Sequence, residues 1–371
     1  MRLIASVWPL CDDESVDDLV QLLTPAGQRV EHPDYRLALE AGELLGLYRD
    51  MVLVRRMDVE ATALQRQGEL GLWASCLGQE AAQVGSARAQ RPTDMCFPSY
   101  REHGVAWVKG VEPLQILGLF RGVNYGGWDP RERYIHVYTL VIGSQALHAT
   151  GYAMGVQRDD TDDAVVAYFG DGATSQGDLN EALVWASVNA APVVFFCQNN
   201  QWAISEPVER QSRVPIAQRA TGFGIPAVRV DGNDVLACHA VMSAALETAR
   251  DGGGPVFIEA FTYRMGAHTT SDDPSRYRIA DELESWRAKD PIDRMRSYLE
   301  TEGILTADQQ LALDADSDAL AAAVRAGVLE MRNPEPLDMF DNVYAGAHPL
   351  VTAERASYAS YLASFVDEAR S

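Results

Sequence analysis

The sequence is short of positive charge, cysteine and long apolar runs. It has 31 Lys and Arg against 53 Asp and Glu residues, a formal net charge of −22, which argues against a nucleic-acid partner because phosphate backbones are bound by basic surfaces. The five cysteines are scattered and form neither a CxxC pair nor a metal-ligand spacing. No window reaches the length of apolar sequence that a membrane-spanning helix needs.

The N-terminal stretch MRLIASVWPLCDDESVDD also lacks the features of a targeting segment. A single early arginine precedes an apolar run that Pro9 interrupts, and acidic residues follow. This pattern fits neither a secretory signal nor an arginine-rich transit peptide. We therefore expect reduced thiols and a cytoplasmic location.

Apolar runs of strand length recur in the second half of the chain. They are AVVAYF at 164–169, PVVFFC at 192–197, AVRV at 227–230 and PVFIEA at 255–260, and segments of helical length separate them. Runs without polar alternation are typical of strands buried on both faces of a parallel sheet. The order of strands and helices predicts an α/β fold, a doubly wound and mostly parallel sheet with helices on both faces.

Three regions are predicted along the chain. Residues 1–35 contain turn formers and little periodicity, which predicts an irregular N-terminal arm. The α/β domain is expected over residues 36–330, and its helical N-terminal layer begins with a long helix between Tyr35 and Gln67. Residues 331–371 are expected to form a helical C-terminal tail.

The stretch YFGDGATSQG places a carboxylate in a glycine turn. Gly170, Asp171 and Gly172 follow a predicted strand, where backbone N–H groups commonly hold phosphate that a carboxylate would repel. After 26 intervening residues, Asn199 and Asn200 follow the next strand. Ligands collect beyond the carboxyl ends of parallel strands, and carboxylate and amide oxygens are ligands that Mg²⁺ accepts together with phosphate. A divalent cation would therefore join the carboxylate to a diphosphate.

A segment of helical length follows this turn. We expect the helix to begin near Thr174 or Ser175. Its free N–H groups and the positive end of its dipole would then attract the same diphosphate.

Separated stretches of the chain carry family motifs. The spacing of GDG and NN within residues 170–205 resembles the thiamine-diphosphate fingerprint. Two further motifs match the family, SYREHG at 99–104 and YRMGAHTTSDDPSRYR at 263–278. The second of these is followed by a predicted helical segment at 286–300, which also resembles the family sequence. Together they resemble the α subunit of the E1 component of 2-oxo acid dehydrogenase complexes. The resemblance extends from about Tyr48 to Tyr344.

This resemblance implies that thiamine diphosphate is bound together with Mg²⁺. Asp171 and Asn200 would ligate the metal through their side chains, and Trp202 through its backbone carbonyl. Further cofactor contacts are implied for Tyr100, Arg101, Gly170, Gly172, Ala173, Ala203 and His268. The short segment from Ser144 to Ala146 would contact the aminopyrimidine ring through its backbone.

The implied reaction is the oxidative decarboxylation of a 2-oxo acid, with transfer of the acyl group to a lipoyl-bearing E2 acyltransferase. His268 is the implied catalytic residue, and Arg264 and Arg278 would order its loop. In two-chain members of the family, the glutamate that activates the cofactor lies on the β subunit. An α2β2 heterotetramer is therefore the implied active species.

The choice of substrate also depends on the resemblance. Two features favour branched-chain 2-oxo acids. One is the sequence SDDPSRYR, and the other is the presence of Ala74 and Ser75, where pyruvate-type chains tend to carry a histidine. Pyruvate dehydrogenase and acetoin dehydrogenase E1 α subunits are the alternatives. A non-catalytic subunit of the same fold is a further alternative, and the retention of Asp171 and His268 disfavours it.

At four positions this chain carries a different residue from its relatives. Gln198 replaces an arginine that reaches the diphosphate in branched-chain members, and Trp202 replaces a tyrosine. His148 stands where those members carry a threonine in a monovalent-cation site, which puts a potassium site in doubt. Thr269 occupies the position of a regulatory serine in animal relatives, and the alternative is an unmodified loop.

Overall fold

The computed structural model of the protein describes residues 19–368. Residues 1–18 of the predicted N-terminal arm and residues 369–371 of the predicted tail lie outside the described residues. The strands, in chain order, are β1 Met95–Phe97, β2 Val165–Gly170, β3 Val193–Asn199, β4 Trp202–Ala203, β5 Glu206–Pro207, β6 Ala227–Asp231 and β7 Val256–Phe261.

Helices in the described residues precede, connect and follow these strands. They are α1 Ala41–Arg66, α2 Glu80–Arg88, α3 His103–Val108, α4 Pro113–Arg121, α5 Pro130–Arg133, α6 Ser144–Arg158, α7 Gly177–Val188, α8 Val208–Gln211, α9 Ile216–Thr221, α10 Val235–Thr248, α11 Ala280–Arg287, α12 Pro291–Thr301, α13 Ala307–Glu330 and α14 Pro349–Glu368.

Five strands form one parallel sheet in the order β1-β2-β3-β7-β6. Both of its faces are covered, since Phe196 of β3 packs in one hydrophobic core and its neighbour Phe195 packs in another. The predicted α/β fold with a buried parallel sheet is confirmed. The four predicted strands correspond to β2, β3, β6 and β7, with ends within two residues of the prediction. The short strands β4 and β5 form a separate antiparallel pair.

The long helix of the N-terminal layer begins later than predicted. Helix α1 starts at Ala41 because Glu40 and Glu43 form a capping box, in which each side chain accepts a hydrogen bond from the other residue's backbone N–H. The prediction that helical structure begins at Tyr35 was wrong, because periodicity does not reveal where a cap stops the helix. The predicted end near Gln67 agrees with the structure.

The described part of the arm contacts the sheet. Val20 forms a parallel bridge with Val230 of β6, and Leu22 and Leu23 are fully buried in the core. The boundaries between arm, domain and tail stay predictions. Among residues 19–368, no helix combines the length and the apolar character that crossing a bilayer requires.

The glycine turn leads into helix α7 through an intermediate element. Residues Asp171–Ser175 form a 3₁₀ turn, and α7 begins at Gly177. The prediction of a helix start near Thr174 or Ser175 was wrong, because Gln176 has extended backbone angles that separate the turn from the helix. The turn itself is closed by the hydroxyl of Thr174, which donates to the Asp171 carbonyl over 2.7 Å.

Candidate active site

A cavity of about 470 Å³ lies at the carboxyl edge of the sheet. Gly170 at the end of β2 is paired with Gln198 in β3, so the segments that follow these two strands leave the sheet side by side. Ten of the residues predicted to bind cofactor or metal line this cavity: Tyr100, Arg101, Gly170, Asp171, Gly172, Ala173, Asn200, Trp202, Ala203 and His268.

Two predicted residues do not line the cavity. Ser144 and Ala146 lie at the start of α6, and the residue between them, Gln145, is the one that lines it. Sequence reasoning missed Gln145 because the resemblance implied only backbone contacts for this segment.

The Asp171 carboxylate is buried, with 1% of the residue exposed. Gln211 of α8 donates a hydrogen bond to its Oδ2 over 2.8 Å, and no salt bridge to Asp171 occurs within residues 19–368. Burial raises the pKa of Asp171 to about 6, although the hydrogen bond from Gln211 lowers it. The charge of Arg264 also lowers this pKa, but no cationic side chain in the described range pairs with the carboxylate directly, and a metal ion would supply that partner.

Asn200 is held by its neighbours in the cavity wall. Its Nδ2 donates to Oε1 of Gln79 over 3.1 Å, and its Oδ1 accepts from the backbone N–H of Trp202 over 3.3 Å. The Nε2 group of Gln79 is buried and has no partner among the described residues. Gln79 therefore brings an unused donor to the cavity that the sequence did not single out.

The carbonyl of Trp202 accepts a hydrogen bond from Arg264 Nη1 over 2.9 Å. Arg264 also donates to the carbonyl of Ile204 over 2.8 Å, so this one guanidinium fixes the short β4 segment. Burial, together with the positive charge of Arg101, lowers the pKa of Arg264 to about 10. Arg264 therefore stays charged at neutral pH and adds a positive field beside the metal-ligand candidates.

The turn after Asp171 leaves room only for a glycine. A Cβ atom at Gly172 would lie 2.8 Å from the Cβ of Ala203, a distance that side-chain carbons do not tolerate. The bare backbone at this position keeps the N–H groups of the 3₁₀ turn close to the cavity surface.

Arg101 connects two loops that are distant in sequence. Its guanidinium donates to the carbonyl of Ser75 over 2.6 Å and to the carbonyl of His268 over 2.8 Å, and it stands 5.4 Å from the ring centre of Tyr100. A guanidinium has five N–H donors, so two bonds to carbonyls leave capacity for an anion.

The imidazole of His268 is neutral. Its Nδ1 lies 3.3 Å from Arg101 Nη2 and 3.4 Å from Arg264 Nη1, and because a guanidinium can only donate, Nδ1 must be the acceptor. Burial, together with the charges of Arg101 and Arg264, lowers the pKa of His268 to about 4. Nδ1 therefore carries no proton, and Nε2–H is the donor that remains.

The loop that carries His268 is held by charged and aromatic groups. Asp272 accepts from the backbone N–H of His268 over 2.9 Å and from the hydroxyl of Tyr277. Arg278 donates to the carbonyls of Arg264 and of Gly266. The predicted ordering of this loop by Arg264 and Arg278 agrees with these bonds.

Gln198 belongs to a buried hydrogen-bond network. Its Nε2 donates to Glu102 over 2.6 Å, and its Oε1 accepts from Gln83 over 3.0 Å. The hydroxyl of Ser99 donates to the other carboxylate oxygen of Glu102 over 2.7 Å. Glu102 is the second buried carboxylate in the cavity wall, and both of its oxygens therefore have hydrogen-bond partners.

His103 is a core residue. Its Nε2 donates to the carbonyl of Ala74 over 2.8 Å, its Nδ1 lies 3.0 Å from the hydroxyl of Tyr138, and its ring stacks on Trp73. Burial lowers the pKa of His103 to about 3. His103 therefore has no free nitrogen for a ligand.

A third buried carboxylate lies behind the cavity. Asp58 of α1 accepts from the indole N–H of Trp73 and from the hydroxyl of Ser75, and the Ser75 carbonyl in turn holds Arg101. Burial raises the pKa of Asp58 from its ordinary value of 3.8 to about 6.

Asp58 should make stability depend on pH. Because its folded-state pKa is raised, the stabilisation is fully present below pH 3.8 and is lost as pH rises through 6. Linkage gives a loss on the order of 1 kcal/mol between pH 5 and pH 7.5. We expect the difference in unfolding free energy between wild type and Asp58→Asn, measured by urea denaturation, to shrink by about this amount. A difference that does not change with pH would contradict this assignment.

Comparison with known proteins agrees with the fold and the cavity. The family described as dehydrogenase E1 component matches residues 48–328. The chain is 46% identical to the 3-methyl-2-oxobutanoate dehydrogenase subunit alpha of Mycobacterium tuberculosis, over 94% of this chain and 96% of that protein.

Two further relatives carry different substrate names. The pyruvate dehydrogenase E1 component subunit alpha of Acholeplasma laidlawii is 38% identical over 86% of this chain and 93% of its own. The mitochondrial 2-oxoisovalerate dehydrogenase subunit alpha 2 of Arabidopsis thaliana is 36% identical over 80% of this chain and 66% of its own. The family match covers all of the cavity-lining residues, and these relatives are α subunits of 2-oxo acid dehydrogenases. The chain therefore belongs to the dehydrogenase E1 component family.

Proposed function

We propose that this chain is the α subunit of a thiamine-diphosphate-dependent E1 enzyme that decarboxylates branched-chain 2-oxo acids. The observation that carries the proposal is the buried Asp171 carboxylate, which faces the cavity beside Asn200 and is paired with no cation in the described residues. A ligand that brings both a divalent cation and a diphosphate satisfies this site. The cytoplasmic location predicted from the sequence is part of the proposal.

The residues present fit Mg²⁺. Asp171 supplies a carboxylate, Asn200 an amide oxygen and Trp202 a backbone carbonyl, all hard oxygen donors, and Mg²⁺ commonly takes one or two carboxylates and completes its shell with phosphate and water. Within residues 19–368, no group of three His, Cys, Asp or Glu side chains is close enough to hold a metal. The proposed metal therefore depends on oxygens from the diphosphate.

The residues around the metal candidates fit a diphosphate. Gly172 and Ala173 offer backbone N–H groups in the turn, and Gly172 packs so closely on Ala203 that a Cβ atom there would lie 2.8 Å from the Ala203 Cβ. Arg101 and Tyr100 supply a guanidinium and a phenol from another segment that lines the cavity. Gly170 and Ala203 border the same space and complete the proposed cofactor site.

The cofactor, when bound, supplies the electron sink for the carbon–carbon bond cleavage that releases CO₂. The chain's own residues bind and orient the reactants. His268 presents Nε2–H from a loop that Arg101, Arg264 and Asp272 hold in place. We assign to this N–H the stabilisation of negative charge on the reacting group and the guidance of the incoming lipoyl group.

The apolar part of the cavity supports the choice of substrate. Six carbon-rich side chains line it: Leu72, Ala74, Phe120, Leu140, Ile142 and Ile204. A branched aliphatic side chain gains free energy by leaving water for such surroundings, about 0.8 kcal/mol for each buried CH₂ group. The names of the M. tuberculosis and A. thaliana relatives point to the same substrate class.

Partner chains complete the proposed enzyme. The relatives are named as α subunits, and Glu102, the unassigned carboxylate in the cavity wall, is already bonded to Ser99 and Gln198. We therefore keep the glutamate that activates the cofactor on a β subunit, in an α2β2 heterotetramer that passes its acyl group to a lipoyl-bearing E2 acyltransferase. Pyruvate and acetoin enzymes are the alternatives that the experiment must separate.

Substrate preference tests this function. The chain is co-expressed with a β subunit from the same genome, supplied with thiamine diphosphate and Mg²⁺, and assayed for kcat/KM with an artificial electron acceptor. We expect 3-methyl-2-oxobutanoate to exceed pyruvate by at least about tenfold, because each methylene in an apolar site is worth a factor of about ten or more. A preference for pyruvate would identify the chain as a pyruvate dehydrogenase α subunit instead. If no 2-oxo acid is turned over, the proposed enzymatic function is wrong.

A further inference from the structure

Gln79 is a buried glutamine in the cavity wall that the stability of the fold does not explain. It lies directly before α2, its exposed fraction is 1%, and its side chain does not cap that helix. Its Oε1 accepts a hydrogen bond from Nδ2 of Asn200 over 3.1 Å, whereas its buried Nε2 has no partner in residues 19–368. A buried donor without a partner costs stability, so the single bond to Asn200 is what this side chain contributes.

The bond between Gln79 and Asn200 has a fixed direction. The backbone N–H of Trp202 donates to Oδ1 of Asn200 over 3.3 Å, and because an N–H can only donate, the amide oxygen of Asn200 lies on that side. Nδ2 of Asn200 therefore faces Gln79, which presents its oxygen in return. Turning either amide around would place two donors, or two acceptors, face to face.

The orientation of this amide decides whether Asn200 can ligate a metal. Only its oxygen suits Mg²⁺, because the amide NH₂ group is a donor that offers the ion no lone pair. The bond from Trp202 is a weak restraint by itself, since 3.3 Å is longer than the usual N–H···O distance of about 2.9 Å. Gln79 supplies the second restraint by occupying Nδ2.

On the basis of the proposed function, we propose that Gln79 is a positioning residue of the metal site. Its Oε1 holds the Asn200 amide in the one orientation that leaves the oxygen available to Mg²⁺. Residues that orient metal ligands in this way typically change metal affinity by about 10- to 100-fold when they are replaced. The unpaired Nε2 is then a stability cost that accompanies the orienting oxygen.

Two substitutions at Gln79 separate positioning from a structural role. Gln79→Met keeps the length of the side chain and removes both polar atoms, whereas Gln79→Glu keeps an oxygen that can accept from Asn200 in either protonation state. Thiamine diphosphate is titrated calorimetrically, at a fixed Mg²⁺ concentration, into the complex of each variant with the β subunit. The metal-free complexes are also melted.

We expect opposite changes in binding and stability for Gln79→Met. Its affinity should fall about tenfold, while its melting temperature stays at or above the wild-type value because the unpaired donor is gone. The affinity of Gln79→Glu should lie within about threefold of wild type, since the bond to Nδ2 is retained.

Gln67→Met is the matched control. Gln67 is an exposed glutamine outside the cavity, and its oxygen also accepts one side-chain bond, from Arg325 over 2.7 Å. This variant should bind the cofactor as wild type does.

Three results would overturn the positioning role. They are unchanged affinity in Gln79→Met, equal losses of affinity in both Gln79 variants, and a loss of affinity in Gln79→Met that is accompanied by a lower melting temperature. Wild type without any Mg²⁺-dependent binding of the cofactor would show that the proposed function itself is wrong, which is distinct from any difference among the variants.

Discussion

Replacing Asp171 with asparagine is expected to abolish Mg²⁺-dependent binding of thiamine diphosphate, with a loss of affinity of at least about 100-fold. Substitutions outside the ligand shell of a metal already cost about 10- to 100-fold, and this one removes the only carboxylate among the proposed ligands. The measurement is calorimetric titration of the cofactor into the complex with the β subunit at saturating Mg²⁺.

The same substitution should not harm the fold. The Asp171 carboxylate is buried without a cation, and an asparagine oxygen can still accept from Gln211, so the metal-free variant should melt at or above the wild-type temperature. Asp178→Asn is the matched control, because Asp178 is exposed at the start of α7 outside the cavity. Unchanged cofactor affinity in Asp171→Asn would contradict the metal role.

Replacing His268 with alanine is expected to slow acyl transfer to a lipoylated E2 domain by about 100-fold, the lower range for the loss of a positioned proton donor. Cofactor affinity should stay within about threefold of wild type, because His268 Nδ1 faces the two guanidinium groups and only Nε2–H is assigned to the reaction. The measurement compares the lipoyl-dependent rate with the cofactor titration in the same complex.

Two amide substitutions separate the roles of the imidazole nitrogens. His268→Gln can place an N–H near the position of Nε2, whereas His268→Asn reaches only as far as Nδ1, so the glutamine variant should retain more activity. Because the pKa of His268 is about 4, the wild-type rate should show no inflection from this group near pH 6.5. His148→Ala, on the exposed side of α6, is the control. Equal activity in all variants would remove the catalytic assignment.

The sheet and the neighbouring positions of Asp171 and Asn200 could be predicted from the sequence. Apolar runs of strand length are a local signal, and the rule that ligands collect beyond parallel strands brings the two ends together. The start of α7 was less predictable, since the extended backbone of Gln176 that delays it has no propensity signature.

Contacts between loops could not be predicted. Arg101 and His268 are separated by 167 positions yet share a hydrogen bond, and Gln211 reaches Asp171 from a four-residue helix. Such pairs depend on how loops pack after the sheet has formed, for which a single sequence carries no periodic signal. The buried Oε1 atom of Gln145, which has no hydrogen-bond partner among the described residues, is of the same kind, because satisfaction of a hydrogen bond is a property of the assembled cavity.

One divalent cation should join the carboxylate of Asp171 to a diphosphate in this cavity. Mn²⁺ in place of Mg²⁺ makes the metal visible to electron–nuclear double resonance in the complex with thiamine diphosphate. We predict phosphorus-31 hyperfine couplings from directly bound phosphate in wild type and their loss in Asp171→Asn. Bound Mn²⁺ without phosphorus coupling in wild type, or the same coupling in the variant, would contradict the account.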